Sequence, residues 1–276
     1  MSTGTGRLAG KVAIITGASK GTGAVMGKQF ADAGARVLMV ARTEDTVKEA
    51  AAAAGNGAIG MRADVTNEAD IVAMVDRAMA EWGQVDILIN NAVSSGKDLY
   101  VWEQTVENWN DQFAICLTAP MIASREVLKR SMLERKAGSI INISSIVGWT
   151  AMPGKSAYVT AKASLRALTK AIATEAGPYG VRCNCLVPGG IETDLWTNWG
   201  KRMSAEQGVS FEEWKVKALS EVPLRTISQP EDIGNLALFL ASDESRTITG
   251  QSINCDAGSV MNSSRGGSGM FCGGPM

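Results

Sequence analysis

The sequence predicts an α/β protein with a doubly wound, parallel sheet in a single domain, and three observations carry that expectation. Short, nearly continuous apolar runs alternate with stretches of helical character along most of the chain. That is the pattern of strands buried on both faces by crossover helices. The first apolar run ends in a glycine-rich turn that opens the first helical stretch, the arrangement of a nucleotide-binding βα unit. The 276 residues contain no internal repeat and no linker-like stretch that would divide them, and this length suits one large α/β unit.

In chain order, a Gly/Ser/Thr-rich start over 1–10 is expected to be flexible, and residues 12–16 (Val-Ala-Ile-Ile-Thr) form the first strand. A helix follows over about 23–33, and 36–40 repeats the strand signal. Residues 44–54 are helix-prone, the alanines at 50–54 reading as exposed helix, 58–63 is strand-like and 68–82 is helical again. Strand 85–90, a helix over 107–136 with breaks, strand 139–144, helix 156–176 and strand 181–187 bring the strands to six, with 251–255 a candidate seventh. The domain is expected to span 11–258. Two segments leave the alternation: a Trp- and Met-rich lobe at about 190–222, before a helix starting near Pro230, and a Gly/Ser-rich tail at 259–276.

Composition removes whole classes of function. Lys and Arg total 27 against 28 Asp and Glu, a formal net charge of −1, which offers no electrostatic footprint for nucleic acid or an anionic membrane. No apolar run reaches the length of a bilayer span, and residues 1–11 lack the apolar core of a signal peptide, so a cytoplasmic protein is expected, with a small molecule or its own copies as partners. Cys116, Cys183, Cys185, Cys255 and Cys272 are an odd number without metal-ligand spacing, which fits reduced thiols and no structural metal. Histidine is absent. Ser-His and Cys-His nucleophiles and His-ligated metals are therefore excluded, and any proton transfer falls to Tyr, Lys or a carboxylic acid.

The turn Thr16-Gly17-Ala18-Ser19-Lys20-Gly21-Thr22-Gly23 places three glycines where backbone can approach a pyrophosphate lying on a helix N-terminus. A phosphate-loop NTPase does not fit, because the spacing from Gly23 to Gly27-Lys28 is wrong and Gln29 stands where a Mg-binding hydroxyl is needed. NAD-binding versions of this unit end the second strand on a carboxylate, whereas here that place reads Val40-Ala41-Arg42. Arg42, with Lys20 as a second charge, suits a 2'-phosphate, so NADP(H) is expected over NAD(H). Downstream, Tyr158-Val-Thr-Ala-Lys162 sets a phenol and an ammonium one helical turn apart on one face. A phenol near pKa ~10 must fall by roughly three units, worth on the order of 4 kcal/mol, to exchange protons efficiently at neutral pH. Lys162 together with an oxidised nicotinamide is expected to supply much of that, and Ser145 at the end of the fifth strand can hold a substrate oxygen against Tyr158.

The order glycine turn, Asn90-Asn91-Ala92, Ser145, Tyr158-x-x-x-Lys162 and Pro188-Gly189 closely resembles the short-chain dehydrogenase/reductase family over 11–258. The resemblance implies a seven-stranded doubly wound Rossmann sheet, Tyr158 as general acid/base, and Lys162 both lowering its pKa and holding the nicotinamide ribose. It implies that Ser145 orients substrate, that Asp64 and Val65 contact adenine, and that Asn90 supports the cofactor pocket. Ser19, Thr22, Asn91, Ala92, Pro188, Gly189 and Ile191 fall among its cofactor positions, and Thr193 at the residue that binds carboxamide or phosphates. Relatives of this kind associate through helices corresponding to 107–136 and 156–176, so a homo-oligomer, dimer or tetramer, is expected.

Three departures stand out. Val93 replaces the last glycine of Asn-Asn-Ala-Gly, which is expected to displace backbone near the nicotinamide, and Asp256-Ala257-Gly258 replaces Asp-Gly-Gly, which is expected to matter little. Cys116 stands at the family's catalytic asparagine, where a thiol should not reproduce an amide that helps hold a water serving the lysine. If that relay needs the side chain, Cys116→Asn raises kcat or shifts its pH dependence; if backbone alone holds the water, it is neutral or costs stability, and the first is expected.

The expected activity is reduction of a ketone or aldehyde, reversible as alcohol oxidation. Trp149 and Met152, between Ser145 and Tyr158, and Trp196, Trp199, Met203, Phe211 and Trp214 in the lobe suggest a bulky or ring-containing substrate, although the same residues can simply pack the lobe on the sheet. A 3-oxoacyl-thioester reductase is the near alternative, motivated by Lys129, Arg130, Arg135 and Lys136. An enoyl reductase fits less well, since such relatives space Tyr and Lys more widely. A non-catalytic nucleotide-binding sensor or subunit is the alternative of another class, with Cys116 its one supporting feature.

Overall fold

The computed structural model describes residues 6–94 and 96–261, so most of the 259–276 tail, Cys272 and half of the 1–10 start lie outside the described residues. Apolar runs become strands wherever both faces find helices to cover them. Strand β1 (Val12–Thr16) is buried at every position, and β2 (Arg36–Ala41), β4 (Ile87–Asn90), β5 (Gly138–Ile143) and β6 (Val181–Pro188) nearly so. With β3 (Ile59–Arg62) and β7 (Ser252–Cys255) they form one seven-stranded sheet in the order β3-β2-β1-β4-β5-β6-β7, every pairing parallel.

Two helical layers close the sheet. On one face α1 (Gly21–Asp32), α2 (Glu44–Ala54) and α11 (Pro230–Ala241) bury Met26, Phe30, Val47, Ile233 and Leu240 against Ile15, Met39 and Ile141. On the other, α3 (Glu68–Trp82), the long helix from Val106, and α8 (Ser156–Ala176) bury Ile71, Met74, Val127 and Ile172 against Ile14, Leu38, Leu88 and Ile140. The first helix starts two residues earlier than its apolar pattern suggests, because the turn glycines form its opening turn. The breaks expected in 107–136 are two wide π turns, Ala114–Thr118 and Leu128–Met132, separating α4 (Val106–Phe113), α5 (Ala119–Val127) and α6 (Leu133–Arg135). Pro120 accounts for the first, since proline has no N–H to return to the carbonyl four residues earlier and its ring crowds that carbonyl.

Residues 190–222 fold into two helices, α9 (Asp194–Glu206) and α10 (Phe211–Ser220), around a small core of Trp196, Trp214, Ala218, Val222 and Ile227. A short helix absent from the sequence reading, α7 (Val147–Thr150), lies between β5 and α8. Among the described residues no helix is long and apolar enough to cross a membrane.

Candidate active site at the carboxyl edge of the sheet

Parallel strands deliver their carboxyl ends to one edge, and the order reverses between β1 and β4, where the crossovers leave on opposite faces and open a crevice. The glycine turn lines one side. Gly17 (φ +66) and Gly21 (φ +53) take left-handed backbone open to glycine. A Cβ at Gly23 would lie 2.2 Å from the Gly17 carbonyl oxygen and 2.7 Å from Asn91 Nδ2, so the turn closes only on glycine. Asn91 props it by donating from Nδ2 to the carbonyls of Thr16 at 2.9 Å and Gly17 at 3.1 Å, while the Thr16 hydroxyl accepts from the backbone of Asn91 and Ala92. Open space above Gly21 is bounded by Thr193, whose methyl would be 3.9 Å from an added Cβ, so the loop after β6 faces the turn across the crevice. These residues build a glycine-lined cradle at a helix N-terminus, which would fit the pyrophosphate of the nucleotide implied by the motifs.

The crevice continues between β1, β4 and α5, lined by Thr16, Val65, Asn90, Ala92, Ile115 and Pro120. Asn90 faces inward, donating to Asn142 Oδ1 at 2.8 Å, and Asn142 donates to the Thr169 hydroxyl at 2.9 Å, a buried polar chain that pins β4, β5 and α8 together. Asp64 sits at its outer end, its carboxylate held below the usual range by Thr66, which donates from backbone at 3.0 Å and hydroxyl at 2.8 Å, with Arg42 and Arg62 nearby. Arg62 is a cation the sequence reading missed. It ends β3 opposite Ala41, the residue before Arg42, and only the strand order 3-2-1 makes these two arginines neighbours. Lys20 and Arg42 are both exposed at this rim. Ile191 pairs with Ser228, and Pro188 and Gly189 lie against β7 and the Asp256 turn.

On the other side of the crevice Ser145 follows β5 and Tyr158 opens α8. Ser145 stands close enough to Tyr158 to favour its ionised form. Lys162 lies one turn on, almost wholly buried, with Nζ donating to the Ile143 carbonyl at 2.7 Å and 5.7 Å from the centre of the Tyr158 ring. Cys116, 1% exposed, occupies the first π turn close enough to Tyr158 to act on its ionisation. In this cofactor-free state burial pushes the Tyr158 phenol up, and the Lys162 charge opposes it, pulling in the direction the sequence leads one to expect.

The other departures resolve unevenly. Val93 needs no left-handed backbone and turns its side chain outward at 44% exposure, so a glycine is not required there. Ala257 does sit in left-handed backbone (φ +54), contrary to the expectation that its replacement of glycine matters little. The aromatic residues divide as well. Trp196 is 8% exposed and packs edge-on to Phe211 and against Trp214, so its bulk fills the lobe, while Trp199 stands at 5.3 Å from the Trp214 ring. Trp149 lies half-exposed beneath the Arg166 guanidinium, and Met152 is partly buried on the segment leading to Tyr158.

A doubly wound sheet with a nucleotide cradle and a Ser-Tyr-Lys group at its carboxyl edge defines a nicotinamide-dependent oxidoreductase class. The chain belongs to the short-chain dehydrogenase/reductase family: a family model described as enoyl-(acyl carrier protein) reductase matches residues 17–260. It is 35% identical over 254 residues to the 3-oxoacyl-[acyl-carrier-protein] reductase FabG of Vibrio cholerae, covering 92% of this chain and 99% of that protein. It is 36% identical over 255 residues to the 2,5-dichloro-2,5-cyclohexadiene-1,4-diol dehydrogenase LinX of Sphingobium indicum, covering 91% and 97%. Among solved structures, levodione reductase superposes with a TM-score of 0.85 at 26% identity, covering 91% of this chain and 98% of that one. NAD+-bound xylitol dehydrogenase shares the fold with a TM-score of 0.84 at 24% identity, covering 91% and 99%.

Proposed function

We propose that this protein is an NADP(H)-dependent oxidoreductase that moves a hydride between the nicotinamide and a ketone or aldehyde carbon, or in reverse from a secondary alcohol. The observation that carries the reading is the meeting of Ser145, Tyr158 and Lys162 beside the glycine cradle. The nicotinamide supplies or accepts the hydride. Ser145 and Tyr158 bind the substrate oxygen, and Tyr158 gives it a proton in reduction and removes one in oxidation. Lys162, fixed by the Ile143 carbonyl, places its charge beside the phenol and would hold the nicotinamide ribose when the cofactor is bound. Asp64 and Val65 take the adenine, and Arg42 with Lys20 takes the 2'-phosphate.

A relative named for a ring substrate, the cyclohexadienediol dehydrogenase, supports a cyclic alcohol or ketone. The FabG relatives favour a 3-oxoacyl-thioester as the second reading. Against it, two cations of the basic cluster are engaged within the chain, Arg130 by Asp76 and Glu126 and Arg135 by Asp86 at 3.0 Å, which leaves less charge for an acidic carrier. A cytoplasmic homo-oligomer suits this reading.

The test is consumption of NADPH and NADH across cyclic ketones, open-chain ketones and a 3-oxoacyl thioester, beside NADPH binding by fluorescence. Turnover of a cyclic ketone with NADPH favoured by roughly tenfold or more is expected. Tight NADPH binding with no turnover of any carbonyl would instead identify a nucleotide-binding subunit.

A further inference from the structure

We propose that Asp98 is a positioning residue that latches the substrate lobe across the mouth of the active site, a role that rests on the oxidoreductase reading above. Asp98 lies in the connection from β4 to α4 and is bound by two cations from different parts of the fold. One carboxylate oxygen pairs with Lys155 Nζ, the other with Arg202 Nη2 at 2.5 Å. Lys155 immediately precedes α8 and stands three residues before Tyr158. Arg202 lies on α9, whose aromatic core with α10 makes the lobe one unit.

Backbone contacts fix one side of this bridge. Leu99 donates its N–H to the Gly154 carbonyl at 2.9 Å and pairs with Lys155, and Gln104 Nε2 donates to the Ser156 hydroxyl at 3.3 Å. The Asp98 connection is thereby stitched to the segment that carries Met152 and leads into the catalytic helix. Among the described residues no backbone hydrogen bond outside its own helix ties Arg202 to the rest of the fold. Side-chain exposure follows the same division, 12% at Lys155 against 51% at Arg202. A sheltered pair resists screening and an exposed one does not, so the Lys155 arm stays closed while the Arg202 arm releases. Substrate enters as that arm opens, and its closing returns the lobe to the rim beside Tyr158.

The latch is tested without substrate, on the NADPH-bound enzyme, by the rate of trypsin cleavage at Lys201 and Arg202. Asp98→Asn is expected to be cut about fivefold faster than the parent, the change one exposed ion pair supports, and to lose the salt sensitivity that brings the parent to the same rate in high NaCl. Asp98→Glu should restore slow, salt-sensitive cleavage, and NADPH affinity should stay within about twofold throughout, since no cofactor-binding residue touches this carboxylate. Arg202→Gln, cleaved at Lys201, should match Asp98→Asn and serves where that variant fails to fold. With cyclohexanone as probe, Asp98→Asn should raise KM while leaving kcat nearly unchanged. Equal cleavage of parent, Asp98→Asn and Arg202→Gln at low salt overturns the latch. Faster cleavage accompanied by a parallel loss of NADPH binding also overturns it, by showing general loosening. Failure of cyclohexanone to react, with the proteolysis pattern intact, counts against the substrate reading and leaves the latch standing.

Discussion

At Tyr158 burial and charge pull in opposite directions, and in the cofactor-free protein burial wins. The folded state therefore holds the phenolic proton more tightly than the unfolded chain, so this group adds stability below about pH 10 that is lost as pH rises through its folded value. In a spectrophotometric titration, the component above the ordinary tyrosine range should vanish in Tyr158→Phe and move higher still in Lys162→Met. The same Tyr158→Phe change should cut turnover by roughly two to four powers of ten while NADPH binding persists; substantial residual activity would remove the phenol from its role. Cys116 yields a second prediction. Its side chain is buried in the core between the long helix and α8, and Pro120 has no N–H to offer the Cys116 carbonyl. A backbone acceptor can thus be present whatever the side chain, which favours the second of the two outcomes weighed from the sequence. Cys116→Asn should leave the pH–rate profile unchanged and lower stability by about 1–3 kcal/mol, read by denaturant melts. Tyr158, Lys162 and Ser145 could be found in the sequence because helical spacing and a strand end announce them. Arg62, Asp98 and Arg202 could not, since their partners are set by strand order and by a lobe whose docking no local pattern encodes.

Elements show where local rules hold and where tertiary packing overrides them. The strands were readable because parallel strands covered on both faces leave continuous apolar runs. The third is shorter than 58–63, and a Cβ at Gly60 would stand 2.5 Å from the Val47 carbonyl oxygen, which shows how closely α2 approaches it. The lobe escaped a helical reading because its aromatic residues face each other across two helices, where they suggested a substrate wall instead. The turn after β7 carries a cost that the sequence comparison underrated. Ala257 holds left-handed backbone, a conformation costing an L-residue about 1–2 kcal/mol. Its methyl is partly buried against the lobe core, so Ala257→Gly should give a net gain of about 0.5–1 kcal/mol. A rise in melting temperature of roughly 1–4 °C is the expected reading, and a fall would show that the methyl contact outweighs the backbone strain.

For the whole molecule, the sheet joins the two helical layers and brings the nucleotide cradle and the Ser-Tyr-Lys group to one edge, so binding at that edge should report on global stability. A ligand that binds only the folded state at about one hundred times its Kd stabilises by about 2.7 kcal/mol. For a chain of this size that is a melting shift of roughly 5–11 °C. NADPH should produce it at fixed protein concentration, a condition that matters because a homo-oligomer would make the melting temperature depend on protein concentration. NADH at the same concentration, bound about tenfold more weakly, should give about 1.4 kcal/mol less, or roughly 3–6 °C less shift. On the proposed reading, the difference comes from the 2'-phosphate meeting Arg42 and Lys20, with Arg62 close to Arg42 across the strand pair. Arg42→Ala should therefore lower the NADPH shift towards that of NADH and leave the NADH shift in place. Equal shifts in the parent would show that the end of the second strand does not select the phosphate, and no shift with either nucleotide would mean that the glycine cradle holds neither.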